Sequence, residues 1–344
     1  MLNPLGPRAW LNPAVLAGVL GAVLAQALGG PLPWMMGAMA GMAVWRLSGG
    51  SGDAPRHGRE LGQLTVATAL GLHFTPAIAS EAAAHWGPML AASLLALGLS
   101  GVSATMLQRW GGCDRTTAWL ASVPGGASEM SVMAERAGAR VDRVAAAQAL
   151  RVCLVVVLLP LALDLWRPAA TGHQVLAGAP PLRTAEIFGV SVLAVLAACG
   201  WRALRGPTPW FLGPLLAVGT LAATGCIEVG SLPRPLVLAG QCLLGLALGA
   251  RLERPFLREA PRFLGVVMGS LVLLLGLSAV AAMGLAVWSG LPLADLVLAS
   301  APGGMAEMCA TAEALGLGVA FITASHVLRL VVVLGVASVI RRRR

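Results

Sequence analysis

The chain has 344 residues, of which 57% are apolar and only 11% charged, with a mean hydropathy of +0.80. A soluble domain carries about 25% charged residues, so this chain lacks the charge to cover a water-facing surface. Its net charge of +9 comes wholly from arginine set in short clusters between apolar runs, which argues against a nucleic-acid-binding patch and matches the arginine bias of membrane loops.

Tyrosine is absent and strand-like alternation is sparse, so a β-barrel is set aside in favour of an all-α polytopic membrane protein. Cys113, Cys153, Cys199, Cys226, Cys242 and Cys309 lack metal-ligand spacing and read as small core residues; no cofactor, metal or disulfide is expected.

Along the chain, the first apolar segment, 11–29, could pass for a signal peptide cut after Ala25-Gln26-Ala27. Its later counterpart at 184–204 argues instead for a retained helix. Next come 33–47, opened by Pro31-Leu32-Pro33-Trp34 with Gly37, and 60–75, with Gly62-Gln63 and Gly71. Segment 86–109 is long enough to cross a hydrocarbon core of roughly 20 helical residues. Segment 116–135 holds Pro124-Gly125-Gly126-Ala127-Ser128-Glu129-Met130, and 142–164 holds Gln148 and Arg151. A Pro/Gly-rich linker, 165–183, follows.

The order then repeats. Segments 184–204, 209–224, 236–250, 261–288, 294–313 and 319–340 carry Pro207-Thr208-Pro209-Trp210 with Gly213, Gly240-Gln241 with Gly249, and Pro302-Gly303-Gly304-Met305-Ala306-Glu307-Met308. The Pro-Gly-Gly blocks align without a gap as far as Leu150-Arg151 and Leu328-Arg329. Three blocks in one order imply a duplication: a first membrane repeat over 1–164, the linker over 165–183 and a second repeat over 184–344.

If all twelve segments crossed the membrane, arginine clusters would fall on both sides. If each Pro-Gly-Gly segment enters and leaves on one side, the clusters around Arg8, Arg46, Arg109, Arg136, Arg202 and Arg251 and the tail at Arg341 all share one face. That version gives about ten crossings, cytoplasmic termini and, with five per half, a second repeat inverted relative to the first. Inverted repeats whose broken segments meet at mid-membrane are the plan of secondary transporters.

Proline removes a backbone donor and glycine accepts dihedrals closed to other residues, so each Pro-Gly-Gly ends one helix and starts another. The break frees N–H groups that can hold an anion and carbonyls that can hold a cation. A tight hairpin or packing kink is the plainer alternative. Glu129 and Glu307 open the second half of each broken segment, as proton or cation carriers or as helix caps. Arg151 and Arg329 lie deep in apolar helices and call for an anionic partner. That partner is either Glu129 or Glu307 in an ion pair, or the carboxylate of a ligand held bidentately. Gln148 and His326 share their faces one turn earlier. The candidate binding set is thus Pro124, Gly125, Gly126, Ser128, Gln148, Arg151, Pro302, Gly303, Gly304, His326 and Arg329, with Glu129 and Glu307 for H+ or Na+.

With these residues in view, the doubled PxPWxxG, GQ and ASxPGGxxEM blocks resemble the AbrB-type duplicated membrane proteins of bacteria, over nearly the whole chain. The resemblance implies an inner-membrane protein whose family carries conflicting labels: regulator of gene expression, ammonia monooxygenase component, and transporter. Nothing here resembles a DNA-binding hairpin domain, and the scattered His and Cys offer no redox site, so an enzyme is not expected. The functional expectation is a carrier of a small organic anion, in the bilayer and possibly a homo-oligomer. The alternative is a membrane sensor that influences gene expression through a partner.

Overall fold

The computed structural model describes residues 12–125, 127–166, 181–227, 230–252 and 261–342, and for 127–129, 334 and 336–342 the backbone alone. Gly126, the Ser128 and Glu129 side chains, Arg8, Arg254, Arg258 and most of the linker therefore lie outside what is described. Among the described residues the chain forms fifteen helices and no strand, with one isolated bridge between Pro181 and Ser231.

The helices are α1 Pro13–Ala27, α2 Pro33–Leu47, α3 Gly58–Gly71, α4 Pro76–Ala84, α5 Trp86–Arg109, α6 Arg115–Ser122, α7 Ala127–Arg136 and α8 Val141–Trp166. They continue as α9 Thr184–Ala203, α10 Pro209–Ala223, α11 Arg234–Gly249, α12 Pro261–Ser289, α13 Leu293–Ser300, α14 Met305–Ala314 and α15 Val319–Arg342. Helices α5, α8, α9 and α12 are long and apolar enough to cross a membrane, and α1, α10, α11 and Val319–Val333 of α15 are shorter apolar helices. Val272, Val280 and Val287 of α12, like Leu16, Leu20 and Leu24 of α1, stand exposed, leaving apolar faces that water would not tolerate and lipid would.

Local chemistry explains where the helices start. Asn12 caps α1, its Oδ1 accepting from the Val15 N–H at 3.0 Å, and proline occupies the first helical turn of α1, α2 and α10. Leu32 and Thr208, each between two prolines before a tryptophan, both adopt left-handed backbone with φ of 45° and 39°. The stretch 76–85, read from sequence as a loop, contains α4; Thr75 supplies the cap, its Oγ1 accepting from the Ile78 N–H at 3.3 Å. A short helix without a long apolar run is invisible to a search for spans.

The chain gathers into two compact units, each drawing helices from both halves of the sequence. The first holds α1–α3, α9–α11 and residues Glu313–Leu315; the second holds α5–α8, α12, α13, α15 and α14 as far as Ala312, and α4 straddles the boundary.

Small residues let the first unit pack closely. Gly21 and Gly41 of α1 and α2 bring the two backbones together, and a Cβ at Gly37 would strike the Gly21 carbonyl and the Ala22 backbone. Gly62 of α3 and Gly240 of α11 face each other in the same manner. Gly37→Val is therefore expected to force α1 from α2 at a cost of about 1–3 kcal/mol. Thermal unfolding of the purified protein in detergent measures it, and an unchanged midpoint would remove this contact from the stability account.

In the second unit α5 lies along α12 and α15, while α6 and α7 pack on α8 and α13 packs on α12 and α15. Three serines from three helices form a buried relay: Ser122 donates to Ser103 at 3.2 Å, Ser103 to Ser270 at 3.2 Å, and Ser270 to the Val267 carbonyl at 2.8 Å. No hydroxyl in the relay is left idle, so it joins α5, α6 and α12 without a desolvation penalty.

Candidate functional site

Each Pro-Gly-Gly breaks a helix, as its chemistry requires. Helix α6 ends at Ser122 and α13 at Ser300, and the next residues, Val123 and Ala301, leave in extended backbone with ψ of 130° and 140°. Helices α7 and α14 begin on the far side of each break. Eight residues of helix rise only about 12 Å and ten about 15 Å, so no half-helix alone crosses a core of about 30 Å. The carbonyl groups at the end of α6 and α13 are thus left in apolar surroundings without helical donors.

The two deep arginines fill that vacancy. Arg151 of α8 donates from Nη1 to the Val123 carbonyl at 2.9 Å, with a longer approach to Ser122 at 3.5 Å, and from Nη2 to Gly125 at 3.2 Å. Arg329 of α15 donates from Nη1 to Ala301 at 2.6 Å and from Nη2 to Gly303 at 3.0 Å. The acceptors stand at matching positions of the two blocks. A cation at a helix C-terminus is favoured by the aligned peptide dipoles, and the guanidinium fork spans two carbonyls at once. Arg151 and Arg329 are 2% and 4% exposed, and their like charges are close enough to repel. Among the described residues neither meets a carboxylate; the ion pairs, His57–Glu60 and Arg140–Asp142, lie at solvent-exposed positions.

Gln148, one turn before Arg151, donates from Nε2 to the Leu120 carbonyl at 2.8 Å and to Val123 at 3.1 Å. His326, at the matching position of the second half, is 1% exposed. The Leu298 carbonyl lies beside its ring, but neither ring nitrogen has a partner in hydrogen-bond geometry. Gln148 Oε1 and Arg151 Nε are also buried and unpartnered. Buried polar groups are paired in the great majority of cases, so three adjacent side chains with spare capacity mark a place for a ligand or water.

Pro124 and Pro302 are buried at the breaks, and the Met130 and Met308 thioethers close over Gly125 and Gly303. Glu307, 4% exposed, folds its carboxylate back over Gly304 at the start of α14, the posture of a helix cap. The carbonyls that the sequence offered to a cation at these breaks are thus engaged by guanidinium groups instead.

Sequence reasoning passed over Asp295, which is 2% exposed in the first turn of α13 and accepts from the Gly318 N–H at 3.0 Å. Its matching residue, Thr117, accepts from the Arg140 N–H at 3.0 Å. In each half the same turn is pinned by a side chain from the first broken helix. The signal was a lone aspartate in an apolar run, aligned with a threonine that can accept the same bond. At the mouth of α6, Asp114 accepts from the Thr117 N–H at 2.9 Å, and the hydrogen bonds from Thr117 hold its carboxyl below the usual carboxylate range.

Comparison with known proteins places this geometry in context. The family described as transition state regulatory protein AbrB matches residues 34–343. The chain is 30% identical over 292 residues to the uncharacterized protein YhjN of Bacillus subtilis, covering 80% of this chain and 75% of that one. It is 28% identical over 302 residues to the putative regulator AbrB of Escherichia coli, covering 87% of this chain and 86% of the relative.

Proposed function

The chain belongs to the AbrB family, and from that premise we propose that it is a secondary transporter of a small organic anion in the bacterial inner membrane. The observation that carries the reading is the pair of arginine-held helix breaks, with spare hydrogen-bonding capacity at Gln148, Arg151 and His326. Irregular backbone and charge at membrane depth are expensive unless they line a cavity or meet a substrate, so two copies of both point to a solute path. Two mutually repelling guanidinium groups are eased by an anion, and a carboxylate is the anion whose geometry suits arginine.

In this reading the two repeats insert with opposite orientation, in about ten crossings with cytoplasmic termini, and Pro124–Gly126 and Pro302–Gly304 line the path. Ser128 adds a hydroxyl, and Glu129 and Glu307 carry the coupling H+ or Na+. Uptake of labelled carboxylates into proteoliposomes, with and without a pH gradient, tests it. Accumulation above the protein-free background supports the reading, and its absence across mono-, di- and tricarboxylates sinks it. The second reading, a membrane sensor acting through a partner, draws on the word regulator in the name of the Escherichia coli relative. Binding without flux would favour it.

A further inference from the structure

We infer that the ligand of this site is a hydroxycarboxylate, an acid carrying at least one hydroxyl group near its carboxylate. The inference rests on the transport reading and narrows its substrate class. It follows from counting which hydrogen-bonding atoms the site leaves unspent, and of which kind.

Gln148 comes first. A carbonyl only accepts, so the amide atom that faces Leu120 and Val123 at 2.8 and 3.1 Å has to be the nitrogen. The flip of the amide is thereby fixed, and Oε1 is the buried atom without a partner. It is an acceptor waiting for a donor. A neutral imidazole at His326 carries one N–H and one lone pair. Even with the N–H turned toward the Leu298 carbonyl beside the ring, the other nitrogen remains a second acceptor without a donor. Arg151 Nε–H is the one unspent donor of the three side chains. Gln148 is fully buried and the other two nearly so.

Each class of ligand can be weighed against that count. A simple carboxylate or an inorganic anion only accepts: it would engage Arg151 and leave both acceptors bare. An ammonium group would supply donors but would enter beside Arg151 and Arg329, whose charges already repel each other. A hydroxyl is a donor that brings no charge. An acid that joins a carboxylate to a hydroxyl serves the arginine with one end and Gln148 Oε1 or His326 with the other. Gln148 and His326 hold matching positions in the two halves, so the two breaks offer the same kind of contact from each side. Buried acceptors that go unpaired penalise the analogue that lacks the donor, which makes these two residues specificity determinants.

The test compares matched acids that differ by one hydroxyl, lactate against propionate and malate against succinate, binding to the purified full-length protein in detergent by calorimetry. The hydroxylated member is expected to bind about ten- to a hundredfold more tightly. Equal affinities within each pair, the result of water alone occupying the spare atoms, overturn the inference. Binding by neither member of either pair removes the transport reading itself. In a His326→Leu protein the preference is expected to shrink about tenfold while propionate affinity holds. A leucine variant that keeps the full preference takes His326 out of the recognition. Should that variant not fold, His326→Gln, which copies the residue of the matching position, is expected to keep the preference, and the wild-type comparison still decides the matter.

Discussion

Arg329→Ala is expected to abolish uptake and to lower the unfolding midpoint of the purified protein together. The side chain supplies donors to the Ala301 and Gly303 carbonyls at 2.6 and 3.0 Å, in a region where no water replaces them. A buried carbonyl stripped of its donor costs about 1–3 kcal/mol, so losing both costs about 2–6 kcal/mol. Arg329→Lys separates the two roles. It keeps the charge but lacks the planar fork, so it is expected to restore part of the stability and little of the transport. Unfolding in detergent and uptake in proteoliposomes provide the two readouts. An alanine variant that carries solute at the wild-type rate would make the arginine a bystander.

The second large effect is expected at Glu307. Glu307→Gln keeps the shape and the contact over Gly304 but can no longer give up a proton or hold a cation. Accumulation driven by a pH or sodium gradient is expected to fall at least about tenfold, while exchange of labelled for unlabelled solute across the membrane persists. Loss of both activities with an unchanged midpoint would place Glu307 in solute binding. Retention of both would leave it as a helix cap and nothing more, worth about 1 kcal/mol.

The doubled Pro-Gly-Gly was legible because its consequences are local: a missing donor and two permissive residues end a helix whatever surrounds them. The helix starts at Pro33 and Pro209 were legible for the same reason. What Arg151 and Arg329 touch was not. A search among side chains offers an arginine only acids, namely Glu129, Glu307 or a ligand, whereas the structure gives it backbone carbonyls that the break itself exposes. Residue types do not record where a carbonyl has lost its donor. Asp295 was missed because a single acid in an apolar run reads as noise until the Gly318 N–H appears opposite it. The gathering of helices into units that mix both halves is a long-range property, and no periodicity along the chain encodes it.

A proline interruption is commonly pictured as a loose joint. Here each joint is tied by a charged strut to the long rod that follows it in the chain, Val123 to α8 and Ala301 to α15. Such a joint does not flap; it travels with its rod. Anything that tugs on the strut hauls the interruption along with it, so the moving parts of this half of the molecule are whole levers and not bending kinks.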